Sequence, residues 1–244
     1  MINQLRAELL KIRSTRTTIG LLLGMILLAL IFIILTCTLS PANQIFTEQD
    51  QVGLLSFGSI AGVFSALAGV MLVTSEYRFG TMRPTFLFNP NRTRLFASKA
   101  IAGLLAGFVF GVIAEGLTFA IGLAILEGRH VHIVLSGSNM TMLIVGSVVS
   151  TALWGVIGVG LGAIIRNQVG AVISLLAFGF VVENLVFGLL PSVGRFLPVH
   201  AGNSMMGITG QHYLSGTIGT LVLIAWALVL AGAGLASIKG RDVQ

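Results

Sequence analysis

With 55% hydrophobic and only 9% charged residues, this 244-residue chain cannot cover the surface of a soluble domain, where about a quarter of residues carry charge. Its net charge of +6 does not point to nucleic acid, because the basic residues bracket apolar runs and form no continuous face, and the single Cys37 excludes an internal disulfide framework. A mean hydropathy of +0.99 and 31 glycines predict an all-α polytopic membrane protein, folded as one transmembrane domain over 1–244.

Residues 1–16 place Ile2, Leu5, Leu9 and Ile12 on one helical stripe, with Arg6, Glu8, Lys11 and Arg13 off it. That spacing predicts an amphipathic helix lying in the membrane interface, its cations near anionic lipid; a frayed basic tail is the alternative. The apolar run 19–35 exceeds the core of a secretory signal and is followed by no small-residue cleavage pattern. Leu35-Thr36 ahead of Cys37 is a poor lipidation site, so this run is expected to stay as the first span.

Six spans are predicted at about 18–39, 53–74, 97–126, 140–165, 169–190 and 216–238, each near the ~20 residues that cross ~30 Å of hydrocarbon. Asn89 as N-cap and Pro90 as first helical residue would start the third span outside the bilayer. Only Arg166, Asn167 and Gln168 join the fourth to the fifth, which makes a tight antiparallel hairpin. With both termini inside, the basic residues divide twelve to two: only Arg129 and Arg195 fall outside. The positive-inside rule therefore predicts cytoplasmic termini. Residues 40–52, 127–139 and 191–215 become outer loops. The last is broken by Pro191, Gly194 and Pro198 and reads as short helices re-entering the outer leaflet, with a plain surface loop as the alternative.

Small residues recur at four-residue spacing in Gly20/Gly24, Gly58/Gly62, Gly103/Gly107/Gly111 and Gly158/Gly162. The triple repeat and the fourth-span run carry the expectation of close helix packing; chance accounts for some of the others.

The long polar interruption at 74–99 holds Arg78, Arg83, Arg92, Arg94 and Lys99 against one acid, Glu76, with Tyr77, Phe79, Phe86, Phe88 and Phe96 interleaved. Gly80 permits a sharp turn and Pro84 is expected to end a short helix. Arginine and aromatic residues suit a protein interface, and Glu76, Arg78 and Arg83 can pair with charges on a partner. The competing reading is that these cations only obey the positive-inside rule and hold anionic lipid.

Two acids fall inside spans, Glu115 and Glu183, at similar predicted depth, with Asn184 beside the second and Ser147, Ser150 and Thr151 in the fourth span. Intramembrane acids face a cavity or a partner. A translocation path through Glu115, Glu183 and Asn184 stands beside the alternative of glutamates satisfied by their helix neighbours. Glu127, His130 and His132 are too few for a metal site, and His200 and His212 say less. No GxxxxGK[ST] phosphate loop occurs, and LSGS at 135–138 and LSGT at 214–217 fall on the outer side. No catalytic constellation stands out, so the chain is expected to be no enzyme and to hold no cofactor or metal.

The lead segment LRAELLKIRSTRTT, the six-span body and the loop SEYRFGTMRPTFLFNPNRTRLFASK together resemble a type-2 ABC transporter permease of actinobacterial style. The most specific piece is Glu76-Tyr77-Arg78-Phe79-Gly80-Thr81 with Arg83-Pro84. The resemblance implies a permease dimer, homomeric or paired with a related chain, each copy bound to a separate ATPase subunit that carries ATP and Mg. It implies that 75–89 is a cytoplasmic coupling loop, with Glu76, Tyr77, Arg78, Phe79, Gly80, Thr81 and Arg83 as the ATPase-coupling residues, and that a segment near 191–200 re-enters the membrane. Export is the expected direction. The rival readings are a stand-alone proton- or cation-coupled carrier or channel using Glu115 and Glu183, against which no inverted repeat of broken spans is visible, and a membrane scaffold.

Overall fold

Every apolar run becomes a helix, because in a chain this poor in polar side chains the backbone donors and acceptors must be satisfied within each segment. The computed structural model describes residues 2–41, 45, 47–88 and 91–240. After α1 (Ile2–Ser14), six helical stretches are long and apolar enough to cross a membrane. The first is α2 (Arg16–Leu39). The second joins α3 (Glu48–Leu55), a 3-10 stretch (Ser56–Ile60) and α4 (Ala61–Arg78), and is followed by the short α5 (Met82–Phe88). The third and fourth are α6 (Arg92–Gly128) and α7 (Gly137–Ile165). The fifth joins α8 (Gln168–Ala177), a π-helical stretch (Phe178–Val182) and α9 (Glu183–Leu189). Two short helices, α10 (Pro191–Gly194) and α11 (Pro198–Met205), lead to the sixth, α12 (Gly216–Gly240). The chain is thus a multi-pass membrane protein.

Three boundaries differ from the sequence reading, each for a local reason. The second span starts at Glu48 rather than near residue 53, because Thr47 and Asp50 form a reciprocal capping box that carries the helix outward. Asn89 and Pro90 lie outside the described residues; the third span begins at Arg92, where the Asn91 side chain accepts the Arg94 N–H. Pro84 does not end a short helix but sits in the first turn of α5, where its missing N–H would have had no intrahelical partner. The hairpin at 166–168 forms as expected: Arg166 adopts a left-handed conformation (φ 58°) and Asn167 caps α8 through the Gly170 N–H.

Helix α7 is the axis of the bundle, with α4, α6 and α12 packed along it. Glycine makes that approach possible. Gly103, Gly107 and Gly111 of α6 lie against Gly155, Thr151 and Val148 of α7, and Gly158 and Gly162 of α7 lie against Ala66 and Val70 of α4. A Cβ at any of them would meet neighbouring backbone. Gly58 and Gly62 also pack closely, against Glu115 and Trp154, whereas Gly20 faces open space and its pairing with Gly24 is chance. Helices α2 and α8 are peripheral and expose Leu23, Leu27, Val169 and Ile173 on surfaces suited to lipid.

Helix α1 docks on the bundle. Leu5, Leu9 and Ile12 of its predicted lipid-facing stripe pack on the cluster of Val73, Phe96, Ala102 and Ile238, and only Ile2 of the four stays exposed. Its buried face also includes Glu8, which the stripe had left outside.

Residues 191–205 are likewise not a plain surface loop. Met205 abuts Gly146, and Gly202 abuts Ser150. At 1.5 Å per residue these contacts lie about 14 and about 20 Å from the start of α7. The Trp226 indole N–H, about 15 Å along α12, donates to the Phe196 carbonyl at 2.8 Å. Helix α11 therefore packs beside the middle of two spans, with His200, Ala201 and Ser204 buried.

Candidate functional site

The last turn of α4, the second turn of α6 and the middle of α1 meet at the end of the bundle where α12 finishes. Their meeting point is a cluster of four charges, of which Glu8, Glu76 and Lys99 are buried and Lys11 half-exposed. Lys99 is fully buried. Its ammonium donates to Glu8 Oε1 at 3.0 Å, Glu76 Oε1 at 2.7 Å and the Leu72 carbonyl at 3.1 Å, which uses all three of its protons. Lys11 donates to the same two carboxylates, to Glu8 Oε1 at 3.1 Å and to Glu76 Oε1. Two acids balance two lysines. The second oxygens of Glu8 and Glu76 are buried with no partner, as is Oε1 of Gln4, one helical turn before Glu8. Burial works against the Lys11 charge, but the hydrogen bond to Glu76 and the charges of Glu8 and Glu76 outweigh it and hold the ammonium above the ordinary lysine range.

Arginines fasten the rest of this end. Helix C-termini leave carbonyls without intrahelical donors. Arg92 donates to the Ile238 and Lys239 carbonyls at 2.9 and 3.2 Å and Arg166 to the Ser237 carbonyl, so both close the end of α12. At the opposite end Arg129 does the same for α2 through the Cys37 and Ser40 carbonyls.

The predicted coupling residues therefore split. Glu76 is 3% exposed and consumed by the lysine cluster, so it presents no charge to a partner. Tyr77 packs into the cluster around Val73 and Phe96, with the Arg166 guanidinium over its ring at 5.4 Å. Arg78 donates to Gln168 Oε1 at 3.1 Å, tying span two to the turn between spans four and five. Past Arg78 the chain reverses at Gly80, whose φ of +66° favours glycine. Phe79, Gly80, Thr81 and Arg83 are exposed, as are Leu87 and Phe88 on α5, while Met82 is buried and anchors that helix. Phe79 after α4 and Leu87 and Phe88 at the end of α5 are thus exposed apolar side chains on segments that adjoin a base fixed by ion pairs.

Sequence reasoning missed the Glu8–Lys99 pair. A signal was present: on the side assigned twelve cations, Glu8 and Glu76 are the only acids among the described residues.

Glu115 and Glu183 are both buried, and among the described residues no hydrogen bond or ion pair joins them. Glu115 lies against Gly58, with the Ser147 hydroxyl as its polar neighbour. Thr151 and Ser65 on the neighbouring helices have unpartnered hydroxyls. One oxygen of Glu183 accepts the Val199 N–H at 2.7 Å. Val199 is the second residue of α11, so Glu183 supplies the acceptor that the start of α11 lacks locally. Asn184 points elsewhere, donating back to the Phe180 carbonyl at 3.0 Å in the π-helical stretch.

A cavity of about 250 Å³ opens between span two, α7, span five and α11, with Asn184 at its wall but neither glutamate. Glu127, His130 and His132 are exposed, and among the described residues no three potential metal ligands gather.

Compared with known proteins, the chain matches no family model and no curated relative.

Proposed function

We propose that this protein is the membrane-spanning permease subunit of an ATP-driven ABC transporter, working as an exporter in a bacterial plasma membrane with both termini cytoplasmic. The observation that carries the reading is the exposure of Phe79–Thr81, Leu87 and Phe88 on segments that adjoin a base where α1, α4 and α6 are locked by Lys99. Large apolar side chains left exposed on segments that also carry arginines fit a protein partner better than a lipid headgroup layer. A push on these segments would reach two spans and the lead helix at once, which a floppy loop could not do. The partner is a separate ATPase subunit that binds ATP and Mg, and the permease acts as a homodimer or beside a related chain.

On this reading α1 lies along the cytoplasmic interface, seated on the bundle, and α10 and α11 form a re-entrant element from the outer side. Any switch of access then comes from the ATPase binding the two conformations unequally. The docking residues are Phe79, Gly80, Thr81 and Arg83, with Leu87 and Phe88 added. Glu76, Tyr77 and Arg78 hold the base.

Co-expression with an ATPase encoded beside this chain tests the proposal. Co-purification and permease-dependent ATPase activity are expected, with both lost in Phe79→Asp/Phe88→Asp while the permease still unfolds at the wild-type temperature. Absence of any such complex sinks it. A stand-alone proton- or cation-coupled carrier has one observation in its favour, the buried Glu115 carboxyl with no ion pair among the described residues. It requires flux in vesicles without an ATPase that Glu115→Gln abolishes.

A further inference from the structure

The cavity between spans two, four and five has a lining whose chemistry selects its ligand. Phe57, Trp154 and Phe180 supply aromatic walls from three different elements. Ser59, Ser150 and Asn203 also line it, and among the described residues none of these side chains makes a hydrogen bond within the protein. Ser150 is 5% exposed. Two hydroxyls and a carboxamide on three walls are thus available to a guest. No acid, base or histidine is among the lining residues. Glu183 lies just behind the wall, but its one bonded oxygen is turned to the Val199 N–H.

We propose that this cavity binds an uncharged, mainly apolar aromatic molecule bearing one or two hydrogen-bonding groups. An ion entering it would shed water and meet no counter-charge, a penalty that polar but neutral side chains offset only in part. An apolar ring system loses nothing by desolvation and gains the aromatic walls, and one donor or acceptor finds Ser59, Ser150 or Asn203. That this molecule is also the cargo rests on the transporter reading; the binding does not.

The test uses the full chain in lipid nanodiscs, without any ATPase, so failure here leaves the coupling reading standing and failure of coupling leaves the binding standing. The chain has two tryptophans, and in the Trp226→Phe protein Trp154 alone reports on the cavity. The probe is N-phenyl-1-naphthylamine, uncharged with a single N–H. Its counterpart, 8-anilinonaphthalene-1-sulfonate, has the same skeleton with a negative charge. Saturable quenching of Trp154 by the neutral probe is expected, with affinity for the sulfonate weaker by on the order of tenfold or more. Gly179→Phe should abolish it, since a Cβ at this lining position meets only Val199, at 3.9 Å, and the ring fills the cavity. Should Gly179→Phe unfold, Asn203→Ala serves instead and should weaken binding about three- to tenfold. Quenching that rises linearly with probe, equal binding of the sulfonate, or no response to a folded cavity variant overturns the proposal.

Discussion

Four glutamates are buried in this protein, and the two pairs are treated in opposite ways. At the end where α12 finishes, Glu8 and Glu76 share two lysines within 3.1 Å and join three helices. Along the spans, Glu115 has only the Ser147 hydroxyl beside it and Glu183 only one backbone N–H. The same side chain is a clamp in one place and an isolated polar group in the other. Cations explain the difference. The charged end has lysines with stems long enough to reach inward, and a charge-balanced cluster recovers its desolvation cost through several short contacts. Among the described residues no ion pair reaches Glu115 or Glu183; glycine makes room for the first, as Gly58 does, and a helix start presents a free donor to the second, as α11 does.

The comparison breaks most sharply at Lys99. Lys99→Met should destabilise the protein by about 3–5 kcal/mol, because it leaves two carboxylates buried with one half-exposed lysine between them. Thermal unfolding in detergent measures this, and protease cutting between α1 and α2 should appear with it; a wild-type melting temperature would refute the clamp. Next comes Glu183→Leu, which strands the Val199 N–H and should cost about 1–3 kcal/mol. Its damage should stay local, seen as faster amide exchange in 198–205 with α1 unaffected.

Glu115→Gln should be smaller still, about 1 kcal/mol or less, since it keeps the shape and an amide can still bond the Ser147 hydroxyl. The same amide at Glu76 should cost several times more, so equal losses at Glu76→Gln and Glu115→Gln would show the contrast to be false. The least change is expected from pH. Lys11 is held above the ordinary lysine value near 10.5, so its contribution is complete below that value and is lost only as pH rises through the higher folded one. Protection of α1 from proteolysis should therefore be flat from about pH 6 to about pH 10. A fall within that window would mean that Lys11 is not paired as seen.

The residues that the resemblance implies for coupling are not equally placed within 74–99. Glu76 can pair with a partner's charge on sequence alone, yet its position in the last turn of α4 turns it inward to Lys99. Arg92, among the cations for which lipid is the competing reading, reaches the last carbonyls of α12. Charge reversal at Glu76 is accordingly a stability experiment, and Phe79 and Phe88 are the positions that probe docking.

Composition alone determined that the chain is a six-span helical membrane protein, because a run of about 20 apolar residues has one stable answer in hydrocarbon. Spacing alone identified Gly103, Gly107, Gly111, Gly158 and Gly162 as packing faces, since residues four apart share a side of a helix. Which acids would find lysines and which arginines would close another helix's end were decided only by tertiary structure. These contacts link positions up to 147 residues apart in sequence, as from Arg92 to Lys239. They depend on how six helices rotate about their own axes, which an almost uniformly apolar sequence leaves unspecified until the glycine seams lock α7 against its neighbours.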